Sequence, residues 1–369
     1  MYTENDLVRI AKRENNKKRN YLVVNPLQGK HIPVSPHKAL EVFSQLAKLL
    51  EVYQDERILI VGFAETATAI GAKLAIELGA DYIHTTREDM GDAACLYFSE
   101  EHSHATEQKL IRDDMDKVIH KIDRIIFAED EITTGKTILN MIAAMEKQYQ
   151  GILDRVHFSV ASLLNGMTQE AYEAYRQRNI GVHYLVKTQH TEYPFLADRA
   201  VNNGIYHGKN IAKSEFTASF EMGGLIDTRR MTEAQQYLSA CERLWEDIRK
   251  SIPLAKYERI LVLGTEEFMF PGLYVGKRLE EEGHFVRFHA ATRSPICVSM
   301  ESQYPLHDRY ELDSLYGEGR NTFIYDIGAC DAVLVLTDAP KAGAEREYSL
   351  LNAVRTKNEI VFLVRWSQK

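Results

Sequence analysis

Residues Ile125 to Thr137 read IIFAEDEITTGKT: a hydrophobic run, two adjacent acids, and a Thr-Thr-Gly-x-Thr turn leading into a helical pattern. The last letters look like a nucleotide-binding P-loop, but that loop needs an early glycine whose backbone wraps the polyphosphate. Asp130 stands at that place, and its carboxylate would repel phosphate. A different chemistry suits the stretch. The backbone amides, hydroxyls and positive helix end over Thr133, Thr134, Gly135, Lys136 and Thr137 match a phosphomonoester. Gly135 permits a tight turn close to the phosphate oxygens. Glu129 and Asp130, at the carboxyl end of the expected strand, can accept hydrogen bonds from two vicinal hydroxyls. Each part has a physical job if the ligand is a ribose 5-phosphate.

Such a loop needs a sheet to position it, and the chain supplies the pattern. Apolar runs of strand length alternate with amphipathic stretches of helix length, which predicts an α/β chain with a mainly parallel sheet. Strands are expected at 57–61, 82–85, 94–98, 124–128, 156–161 and 182–186, with helices from Gly62 to about Leu78, over 107–122 and over 136–149. The last third repeats this grammar. ERILIVGFAETATAIGAKLAIELG (Glu56 to Gly79) is echoed by ERILVLGTEEFMFPGLYVGKRLEEEG (Glu258 to Gly283), and Thr86-Arg87 by Thr292-Arg293. Residues 124–142 have a weaker echo in 332–354. Two related domains are inferred, 1–230 and 231–369. The first would carry an N-terminal arm and a glycine-rich hood over 202–230, and a linking helix would follow over 231–250.

Composition narrows the class. With 369 residues the chain is long enough for two domains. Hydrophobic residues make up 45% and charged ones 27%, as in ordinary globular proteins, and no apolar run is long enough for a membrane span. Net charge is −8, and the short basic cluster Lys17-Lys18-Arg19 reads as a solvated arm, so nucleic acid is not an expected partner. Cys95, Cys241, Cys297 and Cys330 lie far apart, which argues against a zinc cage or a disulfide framework. The start lacks an apolar signal region, and a cytoplasmic location is expected.

The 13-residue motif resembles the phosphoribosyl pyrophosphate (PRPP) signature of type I phosphoribosyltransferases. Glu131 departs from it, standing where that family usually has an apolar residue. GKHIPVSP (Gly29 to Pro36), GFAETATAIG (Gly62 to Gly71), EEHSHAT (Glu100 to Thr106) and TRSP (Thr292 to Pro295) extend the likeness to the phosphoribosyltransferases of bacterial tellurite-resistance and stress operons, which carry a C-terminal TRSP domain. The resemblance implies a type I phosphoribosyltransferase fold, Rossmann-like and mainly parallel, with a second, related α/β domain. It also implies transfer of ribose 5-phosphate from PRPP to a nitrogen base. Mg²⁺ would arrive with the substrate rather than in a protein cage. The base is not readable, and a homo-oligomer is left open.

Carried over residue by residue, the resemblance assigns Ala64, Glu65 and Thr66 to the pyrophosphate side. Glu65 is a departure, since relatives have a basic or small residue there. Arg87, which offsets its charge on one reading, forms a surface ion pair on the other. The catalytic loop falls at 99–108, where His102 and His104 would move a proton. Alternatively the loop is structural, or the two histidines bind metal with Glu100 or Glu101. Base-lining candidates are Lys30-His31, Tyr206-His207 and Asp227-Thr228-Arg229. In the second domain DAPKAGAERE (Asp338 to Glu347) keeps one acid and loses Thr-Thr-Gly-x-Thr. There Arg293, Tyr304, His307 and Arg309 either recognise an anion or nucleotide, or pack structurally. Two functions remain: an enzyme that makes a ribonucleotide, and a PRPP-binding sensor without turnover.

Overall fold

A computed structural model of the chain describes residues 1–14, 16, 19–98, 108–341 and 343–369. They form two compact units that interleave along the sequence. The first comprises Met1–Glu4, Glu41–Gln189 and Ile226–Leu238; the second comprises Asn5–Leu40, His190–Leu225 and Ser239–Lys369. The inferred boundary at 230/231 thus differs from these units, because residues 5–40 and 190–225 fold with the C-terminal part.

The first unit is built on a six-stranded sheet. Its strands are β1 (Ile58–Gly62), β2 (Asp81–His84), β3 (Arg124–Ile132), β4 (His157–Asn165), β5 (Gly181–Lys187) and the short β6 (Thr232–Glu233). Their order is β6-β2-β1-β3-β4-β5, and only β6 runs antiparallel. β1 is buried throughout, as is Arg124 to Ala128 of β3. Helix α1 (Thr68–Leu78) returns the chain from β1 to β2, and α2 (Lys136–Gln148) follows β3. A strand covered on both faces has no solvent side to mark with polar residues, so ILIV and RIIFA read as unbroken hydrophobic runs. Because the chain leaves β1 towards β2 on one side and returns as β3 on the other, the strand order reverses between β1 and β3. In open α/β sheets, ligands bind outside the carboxyl ends of the strands at such a point.

One expected element differs. Residues 108–111, anticipated as the start of a helix, form the strand Gln108–Ile111, paired antiparallel with Cys95–Phe98, and the helix runs only over Arg112–Val118. QKLI is compatible with either state, and pairing with its partner strand decides it.

The second unit has a five-stranded sheet with β7 (Arg259–Gly264), β8 (Phe285–Ala290), β11 (Ala332–Thr337), β12 (Val361–Trp366) and an edge strand, Ala218–Met222. All are parallel, in the order edge-β12-β11-β7-β8. Helices α3 (Phe270–Glu281) and α4 (Ala344–Arg355) follow β7 and β11, and β9 (Asp308–Asp313) pairs antiparallel with β10 (Asn321–Tyr325). Part of the segment expected as a hood is therefore sheet in the second unit: Ile205–His207 adds to β9, and Ala218–Met222 adds to β12. The latter's alternating exposure fits an edge strand with one face on the core. The inferred relatedness of the two halves has a topological counterpart, since β8-β7-β11-β12 repeats β2-β1-β3-β4.

Candidate functional site

At the switch point of the first sheet the turn after β1 is held from two sides. The Ala64 N–H donates to Thr85 Oγ1 (2.9 Å), and Gln108 Nε2 donates to the Ala64 carbonyl (2.7 Å). Thr85 in turn donates to Gln108 Oε1 (2.5 Å), and both side chains are almost wholly buried. This closed ring of polar groups fixes where Ala64, Glu65 and Thr66 stand, and the Ala64–Glu65 peptide within it is cis. Thr66 Oγ1 donates to Asp130 Oδ1 across 2.8 Å. The turn assigned to pyrophosphate and the acid pair assigned to the sugar are thus adjacent.

The acid pair lies beyond the apolar part of β3, and Glu129, Asp130 and Glu131 are each half-buried. Burial first, and then the charge of Glu131, push the Asp130 carboxyl above its usual range; the Thr66 hydrogen bond opposes them. After the acids, Gly135 adopts the left-handed conformation (φ 70°) and caps α2. A side chain would fail there twice, on dihedral grounds and because a Cβ would lie 2.5 Å from the Tyr175 hydroxyl. Tyr175 is fully buried and donates to the Gly135 carbonyl at 2.6 Å. Burial and the charge of Glu129 push its phenol upward, so it stays protonated and able to donate. The Lys136 N–H donates to Thr134 Oγ1 (3.3 Å), and Thr133, Thr134 and Thr137 are half-buried around the helix entrance. The result is a turn of hydroxyls and amides on a helix N-terminus beside two carboxylates.

Sequence reasoning missed Tyr175 and Thr85, and had Gln108 only as the last residue of the expected catalytic loop. Tyr175 stands 40 residues from Gly135 and carries no motif. Thr85 offered a faint signal as the residue before the repeated Thr-Arg pair.

Other expected residues are more dispersed. Glu65 is 8% exposed in the β1 turn, and Arg87 is half-buried beyond β2. His102 and His104 lie outside the described residues. Asp227 accepts from the Arg229 guanidinium (3.2 Å), and the Thr228 carbonyl accepts from the His84 N–H (2.9 Å), all within the first unit. Lys30, His31, Tyr206 and His207, expected to line the base, fold into the second unit. Lys30 Nζ there donates to the carbonyls of Glu266 (2.7 Å) and Ala291 (2.9 Å), and His207 stacks on Tyr310 (4.2 Å between centroids).

The second-unit set divides in two. Tyr304 donates to the Cys297 carbonyl (2.8 Å), His307 Nδ1 meets the Ser299 carbonyl (2.7 Å), and Arg309 pairs with Glu14 (2.8 Å) over the Tyr206 ring. Arg293 instead turns to Glu266 at 2.6 Å.

Comparison with known proteins gives the same frame. A family model described as phosphoribosyl transferase matches residues 7–190, and one described as the TRSP domain C-terminal to that transferase matches residues 228–354. No curated protein matches the chain. Similar solved structures include an adenine phosphoribosyltransferase from Rhodothermus marinus (17% identity, 50% of this chain and 96% of that one, TM-score 0.36). The enzyme from Giardia lamblia, complexed with 9-deazaadenine, is alike at 15% identity, 50% and 96% coverage and TM-score 0.37. An orotate phosphoribosyltransferase from Aeropyrum pernix gives 13%, 50%, 89% and 0.32. Similarity at that level assigns no base. The two family matches take in most of the chain in the expected order, and the chain belongs to the phosphoribosyl transferases that carry a C-terminal TRSP domain.

Proposed function

We propose that this chain transfers ribose 5-phosphate from PRPP to a nucleobase or similar nitrogen acceptor and releases pyrophosphate. The observation that carries the reading is the adjacency of Thr66 and Asp130, which sets a turn for the leaving group beside acceptors for the sugar. Thr133 to Thr137 hold the 5-phosphate through amides, hydroxyls and the helix end. Glu129 and Asp130 accept from the ribose hydroxyls and steady positive charge as the ribose becomes oxocarbenium-like. Holding the reactants in line lowers the barrier further. The oxygen donors gathered here, two carboxylates and a threonine hydroxyl, suit a hard divalent cation. Mg²⁺ brought in with PRPP would neutralise charge on the departing pyrophosphate. His102 and His104 are proposed to pass a proton at the leaving group or the base.

Glu65, buried in the pyrophosphate-side turn, favours a second reading: a PRPP-binding regulator without turnover. Pyrophosphate release from PRPP and Mg²⁺, followed across a panel of bases, separates the two. Release with at least one base supports the transferase; PRPP binding with release from none supports the regulator.

A further inference from the structure

The second unit repeats the first in detail as well as in strand order. The residue after the outer strand donates to the glycine that ends the central one: Thr85 to Gly62 at 2.9 Å, and Ala291 to Gly264 at 3.0 Å. The next residue bridges an antiparallel hairpin, Thr86 with Lys109 and Thr292 with Phe323. The turn after Gly264 therefore stands, within its own unit, where the turn after Gly62 stands in the first.

That second turn is filled with charge. Glu266 is 2% exposed and sits at φ 49°, a conformation that is strained for a non-glycine residue. Its carboxylate accepts from Ser314 Oγ (2.5 Å) and Arg293 Nε (2.6 Å), and Arg320 lies 3.6 Å away. Arg293 also reaches Glu267 (3.6 Å), while the buried Lys30 ammonium is anchored on the Glu266 and Ala291 carbonyls. Hydroxyls close the strand ends: Thr265 Oγ1 donates to Thr337 Oγ1 (2.8 Å), and Tyr316 Oη lies 2.8 Å from Thr265 Oγ1 and donates to Asp338 Oδ1 (2.5 Å). Two guanidinium groups and a hydroxyl around one carboxylate form the coordination shell of a bound anion.

We propose that the turn at the carboxyl ends of β7 and β11 binds a diphosphate-bearing anion, with Arg293, Arg320 and Ser314 as its cradle. The Glu266 carboxylate is the internal occupant that the ligand displaces. A complete sugar phosphate is not the ligand, because the first turn of α4 carries Glu345 and Glu347 where that of α2 carries Lys136 and Thr137. Glu347 is itself held by Arg365 at 2.7 Å.

Hydrogen–deuterium exchange of the full chain tests this, with inorganic pyrophosphate in one arm and ADP in the other. Residues 264–267 and 314–320 are expected to exchange about tenfold more slowly with pyrophosphate, the loss in Arg320→Gln being of the size that charge-assisted hydrogen bonds supply. Glu266→Gln, which empties the cradle of its own charge, is expected to reach the same protection at about tenfold lower ligand. Protection by ADP alone supports the site and assigns the diphosphate to a nucleotide. Unchanged exchange of both segments in the wild-type chain with both ligands overturns the proposal, as does protection that survives in Arg320→Gln. Arg320 is partly exposed on a loop, so its variant tests the site even if Glu266→Gln fails to fold. The readout lies in the second unit and holds whether or not the first turns over PRPP.

Discussion

Thr66 Oγ1 donates a hydrogen bond to Asp130 Oδ1 at 2.8 Å, tying the turn after β1 to the acid pair at the end of β3. The hydrogen bond also opposes the burial that pushes the Asp130 carboxyl upward. On the proposed reading Asp130 accepts more strongly from the sugar when ionised, so PRPP affinity should fall on acidification at a pH above the ordinary carboxylate range. Thr66→Val removes the opposing bond and should move that fall to still higher pH. It should also weaken binding at neutral pH by about 1 kcal/mol, roughly fivefold. PRPP affinity measured against pH for both chains checks this; superimposable profiles would contradict it.

Tyr175 braces the turn over Thr133 to Thr137 through the Gly135 carbonyl. Tyr175→Phe removes the 2.6 Å bond to the Gly135 carbonyl and should cost about 1 kcal/mol of stability, raising the KM for PRPP more than it lowers kcat. Gly135→Ala meets the same tyrosine and a positive φ together, and should cost several-fold more affinity than Tyr175→Phe. Steady-state kinetics beside thermal melting separate loop geometry from global stability.

The second unit should be acid-sensitive. Burial, then the charges of Lys30, His289 and Arg13, lower His31 to about 3; burial lowers His289 to about 4, against the hydrogen bonds it makes to the Tyr325 carbonyl and the Gly29 backbone. Both values lie below the ordinary 6.5, so as pH falls from there towards 4 the unfolded chain binds protons that the folded one refuses. The stability is complete above pH 6.5 and is lost as pH falls, with a limiting slope of about 1.4 kcal/mol per pH unit for each histidine. Calorimetric melting from pH 7 to 4 should show this decline, and His31→Gln should make it shallower. A flat profile would refute the assignment.

What the sequence made legible follows from locality. IIFAEDEITTGKT could be read because strand, acids and phosphate turn are contiguous, and ERILIV and ERILVL because buried parallel strands need unbroken apolar runs. What it hid depends on distant partners. QKLI becomes a strand only beside Cys95–Phe98, and Tyr175 gains its role only when folding brings its hydroxyl to Gly135. Lys30 looked like a candidate for the base because it lies in the N-terminal arm expected of the first domain. Its ammonium is instead held by carbonyls of the second unit, a pairing no local pattern announces.

The most direct test of the central claim is a calorimetric titration of PRPP with Mg²⁺ into the wild-type chain and into Asp130→Asn, with circular dichroism to establish that both are folded. The account predicts saturable binding to the wild type and an affinity at least about tenfold weaker in the variant, as loss of a charge-assisted hydrogen bond requires. Equal affinity in the two chains, or no binding to the wild type, would contradict it.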